Sequence, residues 1–155
     1  QPAYFEATVG KYTVWSINAA LEYKPLSTLY FALKAKGMAY KEPAEWTVEN
    51  HRPAFEGEFN ARYTHRKFAV GAVARLVGKT NWSVLESPAT SETEAVYQSV
   101  NYPAYVDLSL VFDWFVGKRC TLYVEGRNLA NAKIYHWARY KEYGIGALAG
   151  VKVQF

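Results

Sequence analysis

Several aromatic side chains lie in the long polar connections of this sequence, where their rings could stack on the flat face of a ligand. A ring supplies a large contact area at little cost in side-chain entropy, so such a set is typical of a binding surface. The alternative is that Tyr135, Trp137 and Tyr140 pack within an aromatic girdle or between loops. The candidate ligand contacts are Trp46, Trp82, Tyr135, His136, Trp137 and Tyr140.

Residue types that carry catalysis or bind metals are few and separated. His51, His65 and His136 lie in three different connections, and Cys120 is the single cysteine. Neither a triad nor a metal-ligand spacing follows from them. The 18 basic and 14 acidic residues are scattered without long runs of one sign, which argues against nucleic acid as a partner. We therefore expect no enzymatic activity and no cofactor.

Period-2 alternation dominates the chain and predicts the strands that position these loops. Apolar and polar residues alternate over about ten residues, the length that a tilted strand needs to cross a bilayer. No stretch approaches the roughly 18 apolar residues of a membrane-spanning helix. Residues 4–9 either extend the first strand or form a separate one, so we predict seven or eight strands. The alternating segments are residues 15–23, 29–36, 55–63, 68–76, 105–114, 121–127 and 145–155.

The connections between these segments are alternately short and long. Short turns are predicted at residues 24–27, 64–67 and 116–118, and long loops at 41–52, 79–101 and 128–143. Outer-membrane barrels have short periplasmic turns and longer extracellular loops. The sequence therefore predicts one domain over residues 1–155, an all-β, antiparallel, up-and-down transmembrane barrel segment. Its last residue, Phe155, is then periplasmic.

A membrane barrel and a soluble barrel differ in whether the apolar face points outward or inward. A lipocalin-like barrel turns its apolar face inward. Here the polar face carries charges of both signs, as suits a water-filled or plugged lumen. The centre of the apolar face has no charged residue, and a basic one there would cost about 2 to 4 kcal/mol in lipid. We therefore predict that lipid covers this face. The predicted periplasmic aromatic girdle is Tyr23, Tyr63, Phe68 and Trp114.

Three motifs follow one another in the last part of the chain. They are the segment YPAYVDLSL at residues 102–110, the strand end EGRNLAN at 125–131 and the closing GVKVQF at 150–155. In this order they resemble the last strands of TonB-dependent outer-membrane receptors, particularly those of the Bacteroidetes type. Residues 21–26 and 52–55 look like earlier hairpins of the same family. The resemblance implies that Gly150, Val151, Val153 and Phe155 form the signal recognised by the barrel assembly machinery.

The resemblance also implies a function in the outer membrane of a Gram-negative cell. Such receptors take up a scarce ligand, an iron-siderophore, a cobalamin or a glycan, through a barrel of about 22 strands closed by an N-terminal plug that contacts TonB. Seven or eight strands are about a third of that barrel. The expected partners are therefore the plug and the remaining strands of the same receptor. Two alternatives stay open: an autonomous eight-stranded outer-membrane barrel with a structural or adhesive role, and a soluble lipocalin-like binding barrel.

Overall fold

The regular structure of the described chain consists of strands. A computed structural model describes residues 13–41, 50–51, 53–87, 96–137 and 139–154. These residues contain no helix long and apolar enough to cross a membrane. Their twelve strands are β1 (Thr13–Leu26), β2 (Leu29–Lys41), β3 (Asn50–His51), β4 (Phe55–Thr64), β5 (Phe68–Val77), β6 (Thr80–Ser87), β7 (Val96–Tyr102), β8 (Tyr105–Val116), β9 (Cys120–Arg127), β10 (Tyr135–Trp137), β11 (Tyr140–Lys141) and β12 (Gly146–Val153).

Seven of the strands form one large sheet in the order β1-β2-β4-β5-β8-β9-β12. Each neighbouring pair is antiparallel. The predicted antiparallel all-β fold is thereby confirmed, and each of the seven alternating segments of the sequence corresponds to one strand of this sheet. The remaining strands form a three-stranded sheet, β3-β6-β7, and a two-stranded sheet, β10-β11.

The register of the large sheet places apolar residues opposite apolar residues from one edge to the other. Leu33 on β2 pairs with Leu21 on β1 and with Phe59 on β4. Phe59 in turn pairs with Ala74, which pairs with Leu108. Because side chains alternate between the two faces of a strand, this register collects the apolar residues on one face. We call it the apolar face and its opposite the charged face.

The apolar face is exposed, and the small buried core lies elsewhere. Apolar residues of all seven strands in the large sheet are more than one-third exposed. The buried apolar residues among those described are Ala32, Ala69 and Ile134. Ala32 and Ala69 belong to the charged face, since they pair with Asn60 and Asp113. The described sheet is thus a single layer whose apolar side has no protein cover within the described residues.

The three predicted short turns lie at one end of the sheet, but β1 continues through residues 24–26, so the first turn is at residues 27–28 and not at 24–27. Backbone hydrogen bonds join the turns to their neighbours. Thr64 N donates to Thr28 O, Phe115 N to Lys67 O and Gln154 N to Arg119 O, at 2.8, 2.9 and 2.9 Å. Gly117, in the turn between β8 and β9, has a φ of 74°, a conformation that glycine adopts without steric cost. These bonds extend the strand pairing into the turns.

The predicted loop at 79–101 contains two strands, because the hairpin of β5 and β8 continues into β6 and β7. Val77 pairs with Tyr105, and Thr80 pairs with Tyr102 in the same register. The sequence Pro103-Ala104 interrupts the ladder, since proline has no N–H to donate. On the other strand, Gly78 N donates to Phe55 O at 2.8 Å, and an added Cβ on Gly78 would lie 3.0 Å from that oxygen. The long hairpin therefore reaches beyond the sheet.

The described structure differs from the predicted barrel because its large sheet is open. Within the described residues β1 and β12 are the two edges of an open sheet and do not pair with each other. The possible eighth strand at residues 4–9 lies outside the described residues, as does Phe155. What is observed is therefore an open antiparallel sheet of seven strands.

Candidate ligand-binding cavity

A cavity of about 990 Å³ lies over the charged face, at the end of the sheet that carries the long connections. Residues of β1, β2, β4, β5 and β8 form one part of its lining. The rest comes from Pro53, from Thr80, Trp82 and Tyr102 of the β6–β7 hairpin, and from Lys133, Ile134, Tyr135 and Glu142. Its volume is in the upper range of small-molecule sites. The polar and aromatic residues that line it include Lys34, Lys36, Glu56, Glu58, Arg75, Trp82, Tyr102, Tyr105, Asp107, Lys133, Tyr135 and Glu142.

An ion-pair cluster forms the floor of the cavity. Glu58 accepts hydrogen bonds from Arg75 Nε at 3.0 Å and Asn60 Nδ2 at 2.9 Å, and Lys34 Nζ lies 3.5 Å from its carboxylate. The register explains the cluster, because Glu58 pairs with Lys34 on one side and with Arg75 on the other. The cationic partners are exposed, so each pair contributes only about 0 to 1 kcal/mol to folding. These charged groups nevertheless bind one another, so they are less available to bind a charged ligand.

The lining as a whole carries balanced charge. Four basic residues, Lys34, Lys36, Arg75 and Lys133, face four acidic ones, Glu56, Glu58, Asp107 and Glu142. A site built for a strongly charged ligand is expected to present an excess of the opposite sign. This lining has no such excess.

Asp107 offers an acceptor that the described residues leave unused. It pairs with Arg75 across the β5–β8 ladder, yet its Oδ1 is shielded from solvent and accepts no hydrogen bond from them. A shielded carboxylate oxygen without a donor costs free energy. Because Asp107 lines the cavity, a rotation of its carboxylate would bring this oxygen within reach of a ligand hydroxyl and recover part of this cost.

Two tyrosines close one wall of the cavity. Tyr102, at the end of β7, stacks on Tyr135 of β10 with ring centroids 4.3 Å apart and an interplanar angle of 23°. The Tyr102 hydroxyl accepts a hydrogen bond from Arg139 N at 2.7 Å, and Arg139 Nη2 donates to Gln98 Oε1 at 3.3 Å. We call Tyr102, Tyr135 and Arg139 the tyrosine clamp. It joins the 128–145 connection to the β6–β7 hairpin.

The strand-end motif at 125–131 holds the 128–145 connection in place. Asn128 is buried and has a φ of 49°, a left-handed conformation that asparagine tolerates better than most residues. Its Oδ1 accepts from Ala132 N at 2.8 Å and its Nδ2 donates to Ala132 O at 3.0 Å. Leu129 N donates to Leu108 O at 2.8 Å, and the Leu129 side chain lies over Gly126. This turn therefore positions Ile134 and Tyr135 at the cavity.

The structure places the predicted ligand contacts in different surroundings. Trp82 and Tyr135 line the cavity, whereas Tyr140 is exposed and outside its lining. Trp46 lies outside the described residues, and so do the side chains of His136 and Trp137, whose backbones belong to β10. The sequence analysis did not single out Tyr102 and Tyr105 as site residues. Their position on either side of Pro103-Ala104, where the hairpin is interrupted, is the signal that could have identified them.

The predicted girdle residues lie on the apolar face beside the short turns. Tyr63 and Phe68 have ring centroids 6.1 Å apart, and Phe68 pairs with Trp114. Tyr23 lies on the edge strand β1, with β2 between it and the others. Three of the four girdle residues therefore lie side by side.

Gly150, Val151 and Val153, predicted as part of an assembly signal, belong to the edge strand β12. Val151 pairs with Leu122 on the apolar face. Gly150 pairs with Tyr123 on the charged face, and a Cβ added there would lie 2.7 Å from the tyrosine hydroxyl oxygen. The absence of a side chain at Gly150 thus makes room for the Tyr123 ring.

A second charged cluster lies near the short turns and links four strands. Arg62 Nη2 donates to the buried Asp113 at 2.9 Å, and Lys152 Nζ lies 3.6 Å from the other oxygen of that carboxylate. Lys152 Nζ also lies 4.7 Å from the centroid of the Tyr123 ring, within the range of a cation–π interaction. The cluster connects β4, β8, β9 and β12 over the charged face.

The chain matches no protein-family model and no curated protein. Within the described residues, no group of three or more His, Cys, Asp or Glu side chains could hold a metal ion. The arrangement that the described residues do present is a roomy polar and aromatic cavity on the charged side of a single-layer sheet.

Proposed function

We propose that the chain forms part of the wall of a transmembrane β-barrel in a Gram-negative outer membrane. The observation that carries this proposal is the continuous apolar face of seven strands, which no described residue covers, opposite a charged face. In a soluble lipocalin-like barrel the apolar side chains would be packed together inside the barrel. Lipid provides a cover for such a face, and the charged face then lines the lumen.

Tryptophan fluorescence tests the membrane assignment, because the chain carries tryptophan on both faces. Trp114 belongs to the apolar face and is exposed, whereas Trp82 lines the cavity. In a variant that keeps only Trp114, we expect strong quenching by lipids brominated on their acyl chains. A variant that keeps only Trp82 is the matched control and should be quenched little. Equal quenching of the two, or a monomer soluble in plain buffer, would show that the membrane proposal is wrong.

We further propose that this wall belongs to a TonB-dependent uptake receptor. The resemblance of the three C-terminal motifs supports the proposal, and so does the large cavity beneath the long connections. An adhesive or structural eight-stranded barrel would not need a cavity of that size. The coding sequence upstream of Gln1 tests the choice: a plug-like region followed by further alternating strands is expected. A signal peptide that ends just before Gln1 would favour the autonomous barrel instead.

Among the ligand classes that the resemblance implies, the cavity favours an uncharged, hydroxyl-rich ligand such as a glycan. Its lining carries four basic and four acidic residues and the rings of Trp82, Tyr102, Tyr105 and Tyr135, aromatic rings stack on the faces of sugars, and Asp107 Oδ1 accepts no hydrogen bond from the described residues. An anionic iron-siderophore would be better served by an excess of basic residues.

Binding measurements on the detergent-solubilised protein test the ligand class. We expect neutral oligosaccharides to bind in calorimetry and a ferric catecholate complex not to bind. The substitution Asp107→Ala should weaken oligosaccharide binding by about tenfold, the effect of losing one hydrogen bond of roughly 1.4 kcal/mol. Glu125→Gln changes a charged-face residue outside the cavity and should leave binding unchanged. Preferential binding of the catecholate complex would contradict this assignment.

A further inference from the structure

The charges that line the cavity are balanced in number but are not evenly distributed across it. Lys34 and Lys36 belong to β2, whereas Tyr105 and Asp107 belong to β8. In the order β2-β4-β5-β8 these strands are three steps apart, which corresponds to roughly 14 Å across the sheet. A ligand bound at the β8 end is therefore separated from the two lysines of β2.

The β8 end of the cavity is acidic around the half-buried Tyr105. Three carboxylates interact electrostatically with this side chain, against a single guanidinium. These groups belong to Glu142, Asp107, Glu56 and Arg75.

The register of the large sheet accounts for this arrangement. Glu56 and Tyr105 pair with Val77 from its two sides, so both lie in one row across the charged face. The guanidinium of Arg75 already donates a hydrogen bond to Glu58 at 3.0 Å. Its charge is therefore partly offset before a ligand enters, and the β8 end keeps an excess of negative charge.

Tyr105 and Asp107 offer complementary hydrogen-bonding groups to a ligand. The phenol is protonated at neutral pH and can donate, whereas an ionised carboxylate can only accept. Alternate residues of a strand lie on the same face, about 6.6 to 7 Å apart. That separation is comparable to the width of one sugar ring, whose hydroxyls both donate and accept. The two residues can therefore hold one ring between them.

We propose that Tyr105 is a specificity-determining residue of the cavity, and that the β8 end accepts neutral sugars but rejects sugars that carry a carboxylate. Tyr105 donates to a sugar oxygen, and Asp107 accepts from a hydroxyl of the same ring. A ligand carboxylate in this place would meet the negative charge of the β8 end, and such repulsion discriminates between ligands of similar shape. The inference rests on the proposed function, since it applies to a glycan bound in this cavity.

Matched pairs of oligosaccharides test the selectivity of the detergent-solubilised protein. The probes are glucose and mannose oligosaccharides, and the same compounds after oxidation of their primary hydroxyls to carboxylates. In calorimetry we expect oxidation to weaken binding by at least about tenfold, an effect equivalent to one lost hydrogen bond. Equal affinity within a pair would overturn the inference and leave the glycan assignment standing. Failure of every neutral probe to bind would instead overturn the glycan assignment, and the inference with it.

The substitution Tyr105→Phe tests the role of the hydroxyl and keeps the ring. We expect it to weaken binding of the neutral probes by about tenfold. Tyr123→Phe is the matched control, because Tyr123 lies on the charged face outside the cavity lining, and it should leave binding unchanged. If Tyr105→Phe also leaves binding unchanged, Tyr105 does not determine specificity.

The substitution Glu56→Gln tests whether charge is the cause of the selectivity, since it removes one carboxylate with little change of shape. We expect it to reduce the difference in affinity between a neutral probe and its oxidised form by several-fold. Glu125→Gln lies outside the cavity lining and should keep the full difference. An unchanged difference in the Glu56→Gln variant would show that electrostatic repulsion does not exclude acidic sugars.

Discussion

On the charged face, single residues are held by contacts that cross from strand to strand. Gly150 provides the space in which the Tyr123 ring lies, and Tyr123 in turn faces Lys152. The next contact is the buried carboxylate of Asp113, which also binds Arg62. Because each of these residues touches the next, we expect a substitution at Gly150 or at Arg62 to change the free energy of unfolding by more than the size of the altered group suggests.

Adding a methyl group at Gly150 is the smallest test of this packing. We expect Gly150→Ala to lower the free energy of unfolding in urea by about 1 to 3 kcal/mol, because the new Cβ overlaps the Tyr123 ring. Gly37→Ala is the control, since a Cβ there meets nothing within 4 Å. A double variant with Tyr123→Ala should lose most of the Gly150→Ala effect. Equal effects of Gly150→Ala and Gly37→Ala would contradict the packing interpretation.

The Asp113 carboxylate can be neutralised without a change of shape. Asp113→Asn removes a buried charge that faces two cations, and we expect a loss of about 1.5 to 3 kcal/mol in the free energy of unfolding. Glu125→Gln removes a carboxylate from an exposed pair, in which Arg127 is the partner, and should cost less than about 1 kcal/mol. Equilibrium unfolding of both variants in the same detergent gives the comparison. A larger loss for Glu125→Gln would show that burial does not set the strength of these pairs.

At the scale of the strand, alternation is what assigns every side chain to one of two environments. Leu110 and Ser109 are adjacent in the middle of β8, yet Leu110 pairs with Ala72 on the apolar face and Ser109 with Val73 on the charged face. Two neighbouring positions thus provide a matched pair of probes for the two sides of the sheet.

An arginine at each of these positions should have very different effects in lipid. We expect Leu110→Arg to destabilise the folded protein in bilayers by about 2 to 4 kcal/mol, because the guanidinium must enter hydrocarbon. Ser109→Arg places the same group on the charged face and should cost much less. Urea unfolding in lipid vesicles measures both. Similar losses at the two positions would contradict lipid as the cover of the apolar face.

The side chain of Asn128 holds the connection after β9 in place, and limited proteolysis tests this role. Asn128→Ala removes the side-chain hydrogen bonds to Ala132 and places alanine in a left-handed conformation, which costs roughly 1 to 2 kcal/mol. We expect trypsin to cleave at Lys133, Arg139 and Lys141 several-fold faster. Asn128→Gly also loses the amide but has no strain, so the difference between the variants isolates the backbone contribution. Unchanged cleavage in both would show that Asn128 does not hold this segment.

At the scale of the whole molecule, the large sheet of the described residues is a single layer with one apolar and one charged face. The large cavity is on the charged face and requires residues from distant parts of the chain, from Asn18 on β1 to Glu142 beyond β11. The tyrosine clamp then connects the two long connections that border it. The same strands therefore contribute some residues to the apolar face and others to the lining of the cavity.

The strands themselves could be predicted from the sequence, for a physical reason. A side-chain period of two residues is a local property, so the alternation at Val106, Leu108 and Leu110 identifies β8 without knowledge of its neighbours. Short connections between such segments also predict antiparallel neighbours. The pairs β1–β2, β4–β5 and β8–β9, which short turns join, follow from these two signals.

Other features were decided by the tertiary structure, because they depend on register or on contacts between distant segments. The stacking of Tyr102 on Tyr135, the space that Gly150 leaves for Tyr123 and the continuation of β5 and β8 into β6 and β7 each require the alignment of two strands. The sequence by itself determined which residues belong to an apolar and which to a charged face. Only the three-dimensional arrangement decided which of them meet, and that the seven described strands form an open sheet whose two edges run in the same direction.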